Sequence, residues 1–122
     1  MPALRVGIDL VQVSRIAASL AEFGEQFLAK IYTPLERDYA AGEPERLAAR
    51  FAAKEAVKKA LDLDGVGWRD IEVVRGASGF LGVRLHGAAR AAAEQLGNPQ
   101  LALSMSHEGD YATAIVIAQC QP

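Results

Sequence analysis

The sequence predicts an α+β fold, an antiparallel sheet packed with one long helix, and three observations carry the prediction. Helical patterns gather in the first half of the chain and strand patterns in the second, which disfavours a regular βαβ array. Two strand-like runs, 101–106 and 111–118, are joined by only His107-Glu108-Gly109-Asp110, and strands joined so closely run antiparallel. The run 45–61 is the longest helical stretch and is rich in alanine, the best helix former.

Each element has a local reason. Residues 4–11 are rich in Val, Ile and Leu and read as a strand. Ser14 reads as the N-cap of a helix starting at Arg15. Ile16, Leu20, Phe23, Phe27 and Ile31 recur at helical spacing, with Gly24 as a break. Thr33 caps the next helix, Pro34 takes its first position, Glu36 completes a capping box, and Gly42 and Pro44 close it. Residues 62–67 form a loop. Two short strands follow at 71–75 and 81–85, with 76–79 turning between them. The alanine-rich stretch 88–96 is a helix ended by Gly97, with Pro99 just beyond.

At 122 residues the chain is expected to form one domain, 1–122. It is 51% hydrophobic and 23% charged, enough apolar content for a core and too much for a disordered chain. The 13 Lys+Arg against 15 Asp+Glu give a net charge of −2, the wrong balance for a nucleic-acid binder. The single cysteine, Cys120, excludes an internal disulfide and a thiolate zinc cage. The first residues lack the pattern of a signal peptide, and no stretch approaches the roughly 18–20 apolar residues of a spanning helix. The expectation is a cytoplasmic protein without membrane contact.

Three constellations carry possible chemistry. In Gly7-Ile8-Asp9-Leu10 an acid stands inside an apolar strand, where a carboxylate needs a cation, a metal or a structural partner. In the long helix, Arg46, Arg50, Lys54 and Lys58 recur every four residues as a basic ridge, read chiefly as a solvated face. Glu55 lies off that ridge, on the flank of Phe51 and Ala52, with Lys59 four residues further on. An ordinary helical ion pair explains Glu55 and Lys59 but not their apolar neighbours. In Ser104-Met105-Ser106-His107, a strand end offers a hydroxyl and an imidazole, donors suited to a phosphate as well as to a structural bond. One acid on a strand, one on a helix and a nearby lysine suit Mg²⁺, which needs few protein carboxylates when substrate phosphates complete its shell. Together these residues point to metal-assisted phosphoryl chemistry. They identify no substrate, and there is no Walker loop or Gly-x-Gly-x-x-Gly.

In this order and in so short a chain, the segments resemble the holo-acyl-carrier-protein synthase family, the short 4′-phosphopantetheinyl transferases. Gly7-Ile8-Asp9-Leu10 with Arg15-Ile16 is similar to its first motif. Arg50-Phe51-Ala52-Ala53-Lys54-Glu55-Ala56 with Lys59-Ala60 is similar to its second. Ser104-Met105-Ser106-His107 with Tyr111-Ala112-Thr113-Ala114 is similar to its third. The resemblance covers nearly the whole chain and implies the family's α+β fold. It implies transfer of the phosphopantetheine arm of coenzyme A to a serine of an apo acyl carrier protein, in fatty acid biosynthesis, with release of adenosine 3′,5′-bisphosphate. It implies that Asp9 and Glu55 bind Mg²⁺ and Lys59 stabilises phosphate charge. Arg50, Ser106 and His107 then hold coenzyme A, a water held by Glu55 or the metal takes the serine proton, and Arg15 docks the acidic carrier. It implies a homotrimer with sites between subunits, Asp9 and His107 from one chain and the long helix from its neighbour. The chain departs from the family at Gly79-Phe80-Leu81, where a Gly-Lys-Pro-like turn is common, and at Gln12, where several relatives carry an acid. Two rival readings use the same residues: a Mg²⁺-dependent phosphohydrolase with water as nucleophile, and an inactive coenzyme A or carrier-protein binding module. The presence of Asp9, Glu55 and Lys59 weighs against the second, since plain binding needs no metal apparatus.

Overall fold

The structure is a computed structural model and describes residues 3–120. In order, the elements are β1 (Leu4–Gln12), α1 (Val13–Phe23), α2 (Glu25–Ile31), α3 (Pro34–Ala40), α4 (Pro44–Leu61), β2 (Ile71–Arg75), β3 (Leu81–Leu85), α5 (Gly87–Gln95), β4 (Gln100–Glu108) and β5 (Tyr111–Gln119), with a 3₁₀ turn at Trp68–Asp70. The first strand and the last two form one antiparallel sheet in the order β1-β5-β4, and β2 and β3 form a separate antiparallel pair. This is the α+β arrangement expected, with α4 lying across the inner face of the three-stranded sheet.

The alanines of α4 make that packing close. Ala52, Ala53, Ala56 and Ala60 are buried against Ala114, Val116 and Ala118 of β5. Gly7 of β1 faces the same helix at such short range that a Cβ there would lie 1.9 Å from the carbonyl oxygen of Ala56. Strand alternation then sends Leu4, Val6, Ile8 and Leu10 to the opposite, outer face, where each is about 60% exposed. Ile115 and Ile117 of β5 share that face, also exposed.

The expectations at element ends are revised in three places. The first helix starts at Val13 with Gln12 as N-cap, so Ser14 lies inside its first turn and does not cap it. The cap comes from the other end of the chain. Asp110 accepts from the Ser14 amide at 2.9 Å and from the Ser14 hydroxyl at 2.6 Å, and its carbonyl accepts from the Val13 amide. A carboxylate at a helix N-terminus also complements the helix dipole. Pro44 opens α4 and does not close α3, which ends at Ala40 with Ala41 left-handed. The β4–β5 joint is only Gly109-Asp110, so His107 belongs to the strand, opposite Ala112. Gly109 has φ +57 at the first turn position, as a type II′ hairpin requires. The Thr33–Glu36 capping box forms as the sequence indicates.

The basic ridge is a solvated face only at its ends, with Arg46 exposed and Lys58 half-buried, and not at its middle. Lys54 is completely buried and Arg50 is 3% exposed. Glu36, already holding the Thr33 amide, receives the Lys54 ammonium at 2.7 Å, while its other oxygen accepts from the Val73 amide at 2.8 Å. Lys54 also donates to the carbonyls of Trp68 and Ile71, tying the 3₁₀ turn and β2 to α4. Burial pulls the Lys54 ammonium below its ordinary pKa, and the Glu36 charge pulls it back. Lys54→Met keeps the volume but strands the Glu36 charge. It should cost about 3–5 kcal/mol, read as a lower urea midpoint. An unchanged midpoint would show that Glu36 has another buried partner.

Candidate active site

The close approach of β1 to α4 builds the site. Asp9 is two residues beyond Gly7 and so shares its helix-facing side, while Glu55 is the residue before Ala56 on the helix. Both line one cleft of about 570 Å³. Lys59, one turn beyond Glu55, donates to the Ile8 carbonyl at 2.9 Å and to Asp9 Oδ1 at 3.1 Å. Thr113, on the neighbouring strand β5, donates to the Asp9 carbonyl at 2.8 Å and fixes the backbone. The helical ion pair between Glu55 and Lys59 does not form; Asp9 takes the lysine.

The cleft has two sides. Asp9, Gln12, Arg15 and Glu55 make it polar and charged, whereas Ile16, Phe27, Phe51 and Trp68 make it apolar. Phe51 stacks on Trp68 at 4.9 Å, and the Lys58 ammonium lies 3.7 Å above the same indole. That stack holds the apolar wall rigid.

No group of three or more His, Cys, Asp or Glu converges among the described residues. A closed protein cage for a metal is therefore not present there. Two carboxylates at the mouth of an open cleft fit a hard cation that keeps waters and takes its other oxygens from a substrate, the habit of Mg²⁺.

Arg50, Ser106 and His107 come together in a second, smaller cleft of about 200 Å³, beside Tyr39, Arg46 and Arg75. Ser106 and His107 are placed there by the end of β4, and Arg50 by the middle of α4. The two regions adjoin. Leu10 and Tyr111 line the Asp9 cleft and also a shallow depression holding Ser106 and His107. Within one chain, then, α4 serves both sites, meeting Asp9 through Glu55 and His107 through Arg50. This revises the expectation that Asp9 and the long helix belong to different subunits, and the physical reason is the glycine-on-alanine contact that presses β1 onto its own α4. Tyr39 and Arg75 were not singled out from the sequence, since an aromatic at the end of a short helix and an arginine at a strand end carry no spacing signal, and Arg46 was read there only as a member of the basic ridge.

The profile of the 4′-phosphopantetheinyl transferase superfamily matches residues 5–116. The chain is 47% identical to the holo-[acyl-carrier-protein] synthase of Koribacter versatilis, over 95% of this chain and 98% of that one. It is 48% identical to that of Gloeobacter violaceus, over 92% and 89%. Among solved structures it is similar to the ACPS–CoA complex of Chronobacterium ammoniagenes, with TM-score 0.88 and 36% identity over 99% of this chain and 100% of that one. It is also similar to the Helicobacter pylori holo-[acyl-carrier-protein] synthase in complex with coenzyme A, with TM-score 0.83 and 26% identity over 93% and 99%. The motif residues that form these clefts all fall within the matched span, and the chain belongs to the 4′-phosphopantetheinyl transferase superfamily.

Proposed function

We propose that the chain transfers the 4′-phosphopantetheine of coenzyme A to a serine hydroxyl of an apo acyl carrier protein. The meeting of Asp9 and Glu55 in one cleft of a family member, with Lys59 hydrogen-bonded to Asp9, carries this reading. The serine oxygen forms a bond to the phosphorus that bears pantetheine, the bond from that phosphorus to the bridging pyrophosphate oxygen breaks, and adenosine 3′,5′-bisphosphate leaves. Asp9 and Glu55 would hold Mg²⁺, which when bound supplies charge withdrawal at the pyrophosphate. Lys59, half-exposed beside Asp9, turns its ammonium to the phosphate oxygens as charge develops there. A water held by Glu55 takes the serine proton. Arg50, Ser106 and His107 hold the donor's remaining phosphate. The apolar wall of Phe51 and Trp68 excludes bulk water from the reacting centre. No helix among the described residues is long and apolar enough to cross a membrane. We place this single-domain enzyme in the cytoplasm, where its two soluble substrates meet.

The test is direct. The protein is mixed with coenzyme A, Mg²⁺ and an apo carrier protein, and the carrier is weighed. A gain of one phosphopantetheine, lost on chelation, supports the reading. Phosphate release from coenzyme A without carrier would support a phosphohydrolase instead.

Two partner surfaces follow. The outer face of Leu4, Val6, Ile8, Leu10, Ile115 and Ile117 is apolar and open, the mark of a face covered in the working assembly. Leu10 belongs both to this face and to the rims of the two adjoining clefts, so a copy seated there would complete the site. We assign the face to a homotrimer. The chain should scatter light at three times its own mass, and Ile8→Glu, which disturbs no internal packing, should fall to monomers and lose turnover. A fully active monomer would refute shared sites. Arg15, on the first turn of α1 at the cleft, fits an acidic carrier helix. Arg15→Glu should weaken carrier affinity about tenfold while sparing coenzyme A, since charge complementarity acts on the encounter. Equal carrier affinity by titration would reject that docking role.

A further inference from the structure

Three guanidinium groups surround one aromatic ring at the end of α3. The Arg50, Arg75 and Arg46 carbons Cζ lie 4.1, 4.8 and 5.4 Å from the centroid of Tyr39. Such crowding of like charge ordinarily calls for carboxylates. Arg46 has one, Glu43 at 3.4 Å. Among the described residues Arg50 and Arg75 have none within ion-pair distance, although Asp38 and Glu45 line the adjoining clefts. Arg75 donates to the Gly79 carbonyl, and Arg50 makes one long bond, to the Arg46 carbonyl at 3.4 Å.

Arg50 is the telling member. It is 3% exposed, and its Nε is buried without a hydrogen-bond partner. An orphaned buried donor on a charged group is costly, so its presence calls for an acceptor that arrives from outside. The ring of Tyr39 holds cations by its face without supplying the counter-charge they lack. A carboxylate at that place would bind the same forks and close the site. The ring therefore orients and screens the guanidiniums while leaving them free for an oxyanion, which arginine takes bidentately.

We propose that Tyr39 is a positioning residue for the donor-phosphate site and that Arg75 is a further cation of that site, selecting donors that carry a phosphomonoester remote from the reacting pyrophosphate. The proposal rests on the transferase reading above, in which Arg50, Ser106 and His107 face that phosphate. Neither Tyr39 nor Arg75 touches the transferred group, so both act on donor binding and not on the chemical step.

The experiment compares coenzyme A with 3′-dephospho-coenzyme A in the wild-type protein and in Tyr39→Leu, Tyr39→Phe and Arg75→Met, by calorimetric binding and by carrier modification. Wild type should bind coenzyme A at least about tenfold more tightly than the dephospho donor. Tyr39→Leu and Arg75→Met should each weaken coenzyme A about tenfold. Affinity for the dephospho donor and kcat at saturation should stay within about twofold. Tyr39→Phe, which keeps the ring and loses the hydroxyl, should restore wild-type discrimination. Equal losses with both donors, a fall in kcat alone, or Phe behaving as Leu would overturn the assignment. Binding separates this from the parent reading. Tyr39-dependent discrimination without carrier modification would sustain the phosphate site and reject the transferase, whereas modification without discrimination would do the reverse.

Discussion

Asp9→Ala and Glu55→Ala are each expected to lower phosphopantetheine transfer by about 10³-fold or more, the usual cost of removing a principal charge-stabilising group at a phosphoryl centre. The expectation follows from how little else the cleft offers. Among the described residues no third acid stands beside these two, and Gln12, which lines the same cleft, gives only an amide. A lost carboxylate therefore has no substitute. Asp9→Asn and Glu55→Gln test the same point without opening a cavity, and their loss should match that of alanine, since charge and not volume is what the cation and lysine require. The two positions differ in one respect. Asp9 also holds Lys59 at 3.1 Å, so Asp9→Asn should blur the effect of Lys59→Met, whereas Glu55→Gln should leave it additive. Titration with Mg²⁺ should show residual activity that rises only at high metal. Near-normal turnover of carrier in either single variant would sink the metal assignment.

What the sequence could tell depended on the range of the interaction. The Thr33 capping box was readable because its donors and acceptors lie within three residues of each other. The helix of 45–61 was readable from propensity. The pairing of β1 with β5 joins positions 99 to 115 residues apart, and nothing local announces it. Nor could periodicity decide which side of α4 meets solvent. Arg50 and Lys54 follow one ridge with Arg46 and Lys58, yet the first two are buried because Glu36 and Tyr39, from a separate helix, supply a counter-charge and a ring. The same limit hid Asp110, which caps α1 from 96 residues away. Asp9, Glu55 and Lys59 were legible in two ways. Their placement among apolar residues was unusual, and the order of the surrounding motifs matched a family. Their convergence needed the fold, because a strand at one end and a helix in the middle of the chain meet only when the sheet closes around α4.

One unread signal was Gly7. A glycine in a strand interior loses entropy and packing, so it marks a close approach of backbones. Gly7→Ala is expected to damage both the fold and the site. Its Cβ would lie 1.9 Å from the Ala56 carbonyl oxygen and 2.8 Å from the Ala60 amide nitrogen, where ordinary contact begins near 3.4 Å. Both obstacles are main chain, so no rotamer change relieves them, and β1 and α4 must part by about 1 Å or more. β1 cannot yield alone, because it is paired with β5 along its whole length. The strain should cost about 3 kcal/mol or more, seen as a lower melting temperature. Parting also moves Asp9 and Lys59 away from each other and from Glu55. A displacement of that size costs about 100-fold in rate where groups must act in register. In protein that remains folded, turnover should therefore fall, and the Mg²⁺ concentration for half-activation should rise, since the two carboxylates no longer share one position. Arg50, Ser106 and His107 lie on the other cleft, so coenzyme A should still bind. An unchanged melting temperature with unchanged turnover would show that the strand and helix stand further apart than the structure places them, and that the site does not depend on their contact.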